Sequence, residues 1–303
     1  MHRRAFLKTA AAGAAGLAAA AGPAPAAEVR AAKTGAQLKL CSQEGRLPGK
    51  TLREKIENLV KFGGCGIEFH RNARGRIKEI RAALKGTGVG VAAICAGYFP
   101  IVDPDPEKRK AGCRSLKEVC SWAGDLGSTG VILVPAFRNH PTIQPYWEAR
   151  KVFVENLHDV GEHAAKAGTR VLLEPLNRGE ATFLRLLADA AAICRDARSP
   201  GACMMGDFYH MNIEETSDEG AFLSAGPYLH HVHLASRVRW LPGQDHLKEP
   251  NKPERSFVSG FRGLKRIGYR DYCSLECGCK GDPMVEIPKS FAFLRRQWEE
   301  ATI

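Results

Sequence analysis

Eight short apolar runs recur along the chain at a mean spacing of about 35 residues, with stretches of helical periodicity between them. The runs cover residues 38–42, 65–70, 89–97, 130–135, 170–174, 202–207, 230–234 and 272–276. Each is mostly β-branched or aliphatic, the composition of strands buried on both faces. The helical stretches cover 51–62, 107–126, 146–167, 182–196, 218–225 and 287–300. In the first, Leu52, Ile56, Leu59 and Val60 form one stripe; Asp105 and Pro106 supply a cap and a first-turn proline for the second. Alternating strands and helices imply a parallel sheet. Eight such units in about 260 residues imply a single closed (β/α)8 barrel of the α/β class. No Pro/Gly/Ser-rich linker divides residues 33–303, so one domain is expected there. The longest irregular stretch, 236–254, follows the seventh strand and is expected to be a functional loop.

The N-terminus is of a different kind. Met1-His2-Arg3-Arg4-Ala5-Phe6-Leu7-Lys8 leads into an Ala/Gly-rich run over 9–22 and an Ala-x-Ala site at Ala24 and Ala26. This is the layout of a removable targeting signal, and the Arg3-Arg4 pair resembles a twin-arginine export signal, with His2 where that motif has Ser or Thr. Residues 1–26 are therefore expected to direct export to the periplasm or the exterior and to be removed. The Ala/Gly run is too short and too weakly apolar for a stable membrane anchor. Removing residues 1–26 takes away Arg3, Arg4 and Lys8 and no acids, so the formal charge falls from +11 to +8. With 44% hydrophobic and 25% charged residues the chain is ordinary globular protein, which excludes disorder and fibrous structure. The residual charge forms no recognisable stripe, and no nucleic-acid partner is expected. Cys277 and Cys279 lack a matching second pair, which argues against structural zinc.

In a barrel of this kind chemistry collects at the C-terminal strand ends. Four consecutive strands end in ionisable residues: Glu174, Asp207, His233 and Glu276. Three unpaired carboxylates at one mouth would repel one another, and a divalent cation resolves the conflict. Three oxygens and one imidazole make a hard site that suits Mn2+, with Mg2+ or Co2+ as alternatives. Each residue alone has a blander explanation as a cap or ion-pair partner, and His231 and His233 share a strand face where a packed core histidine would also sit. Glu68 and His70 alternate with Ile67 and Phe69 and are placed as second-rank substrate contacts.

Leu173-Glu174-Pro175-Leu176-Asn177-Arg178, Gly206-Asp207-Phe208-Tyr209-His210-Met211-Asn212, and His231-Val232-His233 with Arg239 and Pro242-Gly243 together resemble the xylose-isomerase-like barrel superfamily. Within it they are most similar to sugar phosphate isomerases and epimerases, the hydroxypyruvate isomerase and D-tagatose 3-epimerase group. The resemblance implies that Glu174, Asp207, His233 and Glu276 bind the metal and that Glu174 and Glu276 are also the acid/base pair. His210 and Arg239 are implied to hold substrate oxygens, and Glu180 a substrate hydroxyl. The implied activity is isomerisation or epimerisation of a ketose or related small sugar, by proton transfer through a cation-stabilised enediolate. Relatives form dimers or tetramers, so a homo-oligomer is implied as well.

Three other activities compete. A keto-sugar or keto-glycoside lyase, dehydratase or hydrolase would use the same site. A non-catalytic sugar-binding barrel would not need paired glutamates. An apurinic endonuclease with three Zn2+ ions would suit the positive charge and His70. Against it, the third strand ends Ala96-Gly97-Tyr98-Phe99 without a histidine, and Asp245 and His246 are adjacent rather than spaced by one.

Overall fold

A computed structural model describes residues 35–303 of the chain. The expected signal at 1–26 lies outside the described residues, as do residues 33 and 34 of the expected domain. Eight parallel strands close into one barrel in sequence order. They are β1 (Lys39–Gln43), β2 (Gly66–His70), β3 (Gly90–Tyr98), β4 (Val131–Val134), β5 (Val171–Leu173), β6 (Ala202–Asp207), β7 (Leu229–Leu234) and β8 (Tyr272–Leu275). β1 pairs with both β2 and β8, which closes the ring. The helices are α1 (Leu52–Lys61), α2 (Ile77–Leu84), α3 (Pro106–Asp125), α4 (Tyr146–Lys166), α5 (Leu187–Ala197), α6 (Phe208–Glu214), α7 (Asp218–Ala225), α8 (Val258–Arg266) and α9 (Pro283–Glu300).

Alternation along each strand sorts side chains between two cores. Leu133, Leu173, Met204, Val232 and Leu234 face outward and belong to the continuous apolar layer shared with the helices. Ala93, Ile132, Leu172, Cys203 and Met205 face inward and form a separate plug inside the barrel. Above the plug the interior turns polar, with Gln43, Glu68, Glu174, Asp207 and His233 all buried. That polar upper layer is where the ends of the strands bring their charges together.

Local signals account for several helix starts. Thr51 and Glu54 form a reciprocal capping box on α1, and Asp105 caps α3 with Pro106 in its first turn. Leu52, Ile56 and Leu59 are buried as the stripe implied, but Val60 is 44% exposed. Three helices lie outside the expected set. α2 buries only Ile80 and Ala83, too short an apolar stripe to stand out. α6 follows β6 without a break, started by the Asp207 side chain accepting from the Tyr209 N–H. α8 carries Gly260 and Gly263, which lower helix propensity. Close packing requires Gly260: a Cβ there would lie 2.5 Å from the Phe208 ring. The helix expected over 182–196 begins only at Leu187. Its first-turn N–H, that of Leu187, donates to Glu215 at 2.8 Å, a cap that comes from a distant element.

The stretch 236–254 is held by its own acids. Buried Asp245 accepts from the Arg255 N–H at 2.9 Å and the Val238 N–H at 3.3 Å. Glu254 accepts from the N–H groups of Asp245 and His246. All ten cysteines are unpaired. Among the described residues no helix is long and apolar enough to cross a membrane.

Candidate active site

Each of the four strand-end residues is aimed inward by strand geometry. Glu174 continues β5, its N–H donating to the Leu133 carbonyl at 3.0 Å. Asp207 ends β6 in register with His233 of β7, and His233 in turn pairs with Ser274 of β8. Glu276 follows β8, tied to the Leu234 carbonyl at 3.3 Å. One ligand atom from each of Glu174, Asp207, His233 and Glu276 falls within 4.8 Å of the other three. From His233 Nδ1 the distances are 3.1 Å to Glu276 Oε2, 3.7 Å to Glu174 Oε1 and 4.0 Å to Asp207 Oδ2.

Two buried atoms in this group have no hydrogen-bond partner, Asp207 Oδ2 and His233 Nδ1. Asp207 spends its other oxygen on the cap of α6, accepting from the Tyr209 N–H at 2.7 Å. His233 spends its Nε2 on Glu68 Oε2 at 3.0 Å. What remains is one nitrogen and three carboxylates converging on one point, the donor set of a hard divalent cation. The residues fit such an ion.

Electrostatics say the same. Burial disfavours charge on His233, yet Glu276 and Glu68 outweigh it and hold the imidazole pKa well above its usual range. Burial also pushes Glu174 up, helped by the Glu276 charge. Glu276 resists burial because His233 and Arg239 stand beside it, and it is pulled down to about 2. The cluster therefore calls for positive charge at its centre, supplied either by a proton on His233 or by a cation.

Around the cluster the other expected residues separate. Arg239 Nη2 lies 2.6 Å from Glu276 Oε2 and 3.7 Å from Asp207 Oδ2. Its guanidinium stacks 4.6 Å over the Tyr209 ring, and its backbone sits at a φ of 59°, a strained conformation for a residue with a side chain. Hydrogen bonds on both sides, to Ser236 and from Gly278, hold it there. His210 is buried with Nε2 3.2 Å from Arg239 Nη1 and 3.5 Å from Asp207 Oδ2. Glu180 stands at the rim, its side chain 42% exposed and its Oε1 accepting from Asn177 Nδ2 at 2.9 Å.

Glu68 and His70 stand in different surroundings. His70 is exposed at the end of β2 and is not part of the convergent cluster. Glu68 is fully buried below it. Its Oε2 accepts from His233 at 3.0 Å and His231 at 2.9 Å, and its Oε1 from Gln43 Nε2 at 2.8 Å. Burial would raise this carboxyl, but the two histidines pull it well below the usual carboxylate range. Glu68 thus holds the Nε2 side of His233 and leaves Nδ1 facing the cluster, the place an outer carboxylate takes beside a metal-binding histidine. Gln43, at the end of β1, carries no ionisable group and so gives no sequence signal of a site. Its Nε2 also reaches Glu276 Oε1 at 3.0 Å, joining two carboxylates through one amide. Asp245 and His246 are committed to the loop and to Glu254.

The model of the xylose isomerase-like TIM barrel family matches residues 56–297, and the chain belongs to that family. Individual relatives carry more specific names. The 3-dehydro-D-guloside 4-epimerase of Escherichia coli K12 is 30% identical over 268 residues, 85% of this chain and 99% of that protein. The D-psicose 3-epimerase of Ruminiclostridium cellulolyticum is 33% identical over 236 residues, 73% of this chain and 78% of that one. Among solved structures, the apo form of an E. coli 3-keto-D-glucoside 4-epimerase superposes with a TM-score of 0.74 at 28% identity, covering 86% of this chain and all of the other.

Proposed function

We propose that the protein is a sugar epimerase that depends on a divalent cation and inverts a carbon beside a carbonyl in a ketose or keto-glycoside. The observation that carries this is the buried convergence of Glu174, Asp207, His233 and Glu276 beneath Arg239 and His210. The relatives support it: a 3-dehydro sugar inverted at carbon 4 loses its proton from the carbon next to the ketone. Mn2+ suits the three-oxygen, one-nitrogen set, with Mg2+ and Co2+ as alternatives. When bound, the ion supplies positive charge to two neighbouring substrate oxygens.

The chain's own groups do the rest. Glu174 just past β5 and Glu276 just past β8 approach from different sides of the barrel mouth, so one can take the proton from one face while the other returns it to the opposite face. Arg239 and His210 direct N–H groups at the oxygen on which negative charge develops. Glu180, at the rim, accepts from a more distant hydroxyl.

The test is a panel of ketoses and 3-keto-glycosides with Mn2+-loaded enzyme in deuterated water. Deuterium should enter at the carbon beside the carbonyl, with inversion. Glu174→Gln and Glu276→Gln should each lower turnover by about 10²–10⁴-fold. Turnover of either variant at the wild-type rate would overturn the mechanism. Release of a fragment would indicate a lyase or hydrolase, and binding without exchange a sugar-binding barrel. We also propose export through the twin-arginine pathway. N-terminal sequencing of secreted protein should begin at Ala27; retention of Arg3-Arg4 in protein from the cytoplasm alone would rule it out.

A further inference from the structure

Four hydrogen bonds at the mouth involve one residue assigned no role so far. Asn177 is 4% exposed, three positions past Glu174. Its backbone N–H donates to His210 Nδ1 at 3.1 Å, and its Nδ2 lies 2.8 Å from the same nitrogen. The orientation of its amide is fixed independently. Oδ1 accepts from the Gly179 N–H at 2.9 Å, and Nδ2 donates to Glu180 Oε1 at 2.9 Å. Both groups that Asn177 presents to His210 are therefore donors.

A neutral imidazole carries one proton, and a nitrogen receiving two donors must be the bare one. Nδ1 of His210 is bare, so the proton sits on Nε2. That atom faces Arg239 Nη1 at 3.2 Å, and Arg239 can only donate. Two donors face each other at that contact, and Asp207 Oδ2 stands off at 3.5 Å from Nε2 and 3.7 Å from Arg239 Nη2. Such a pair is arranged for an oxygen bearing negative charge, which both could bond at once. Were the tautomer reversed, His210 would accept from Arg239 and present no proton to substrate.

We infer that Asn177 is a positioning residue: it locks His210 as an Nε2–H donor towards substrate oxygen and, through the same side chain, holds Glu180 at the rim. Its effect on turnover rests on the epimerase activity proposed above; the position of the proton on His210 does not.

Nitrogen-15 NMR of histidine-labelled protein in mildly alkaline buffer, where an unperturbed imidazole is neutral, reads the proton directly. The His210 signals are those that vanish in His210→Asn. The wild type should show a bare Nδ1 and a protonated Nε2. Asn177→Asp places a carboxylate oxygen where Nδ2 was and should draw a proton onto Nδ1. Asn177→Ala keeps the backbone donor and should leave the tautomer unchanged. On a competent substrate, the Ala variant should raise KM about tenfold through the freed Glu180, with kcat little altered. The Asp variant should lower kcat by about 100-fold, the scale of losing one donor to a developing oxyanion. A wild-type His210 protonated on Nδ1 would overturn the inference even if epimerase activity is confirmed. So would an Asp variant with the wild-type nitrogen pattern and wild-type kcat.

Discussion

Glu68 shows how much of the site's geometry is set one residue away from the candidate cation site. A histidine ligand needs its second nitrogen held, or its ring can rotate and its tautomer exchange. Here one carboxylate oxygen accepts from both His231 and His233, while the other is held by Gln43. Glu68→Gln preserves shape but replaces an acceptor with an amide donor on one side. One of the two histidines then loses its partner, and the Nδ1 lone pair of His233 is no longer enforced. Titration calorimetry with Mn2+ should show affinity weakened about 10–100-fold, with circular dichroism unchanged. Wild-type affinity in this variant would mean that the β7 backbone alone orients His233. The residue itself was visible in the sequence, but its task was not. Alternation along β2 placed Glu68 on the inner face. Its depth, and the two histidines waiting there from a strand more than 160 positions away, exist only once the barrel closes.

The loop between β5 and α5 carries Asn177 and Glu180, and α6 holds it at both ends. Glu214 accepts from the backbone N–H of Arg178 at 2.5 Å and from its Nε at 2.7 Å. Glu215 accepts from the N–H of Leu187. Glu214 is 4% exposed while Arg178 is 61% exposed, so solvent screens much of the ion pair and the backbone bond matters more. Glu214→Gln should cost about 1 kcal/mol, seen as a lower denaturant midpoint. Burial raises the Glu214 carboxyl, but the bonds from Arg178 outweigh it and hold it below its ordinary 4.5. A lowered native value means the contribution is complete above that ordinary value and is lost as pH falls through the lowered one. The gap between wild type and Glu214→Gln should therefore be open near neutrality and narrow as pH falls below 4.5. A gap that persisted in acid would assign the effect to shape instead. This loop also marks what the sequence could and could not disclose. β6 lies where its apolar run placed it, at 202–207, because a strand buried on both faces advertises itself locally. Glu174, Asp207, His233 and Glu276 were legible for the same reason: each sits at the end of such a run. α5 starts five residues late because its cap is Glu215, and α8 was hidden by glycines explained only by the Phe208 ring and the α7 backbone packed against them. Signals carried by one segment were readable; those shared between segments were not.

At the scale of the whole barrel, the polar mouth is a concentrated liability unless something positive sits in it. The apolar plug below is closed, and all ten cysteines are unpaired, so no covalent clamp offsets repulsion among Glu174, Asp207 and Glu276. A proton on His233 does so in part, and a divalent cation does so with more charge. Because such a site is assembled only by the folded chain, binding adds to folding stability. At 100 times its dissociation constant an ion contributes about 2.7 kcal/mol. For a domain of this size that corresponds to a Tm rise of about 5–10 °C. Chelation should therefore lower Tm by that amount, and Mn2+ should restore it. Asp207→Asn separates ligation from folding. Asparagine still accepts from the Tyr209 N–H as an α6 cap, so the metal-free variant should melt no lower than metal-free wild type. It removes one of three negative charges, so the increment from Mn2+ should shrink to a small fraction of its wild-type size. If both proteins gained equally from Mn2+, the cation that stabilises this barrel would be bound elsewhere than among these four strand ends.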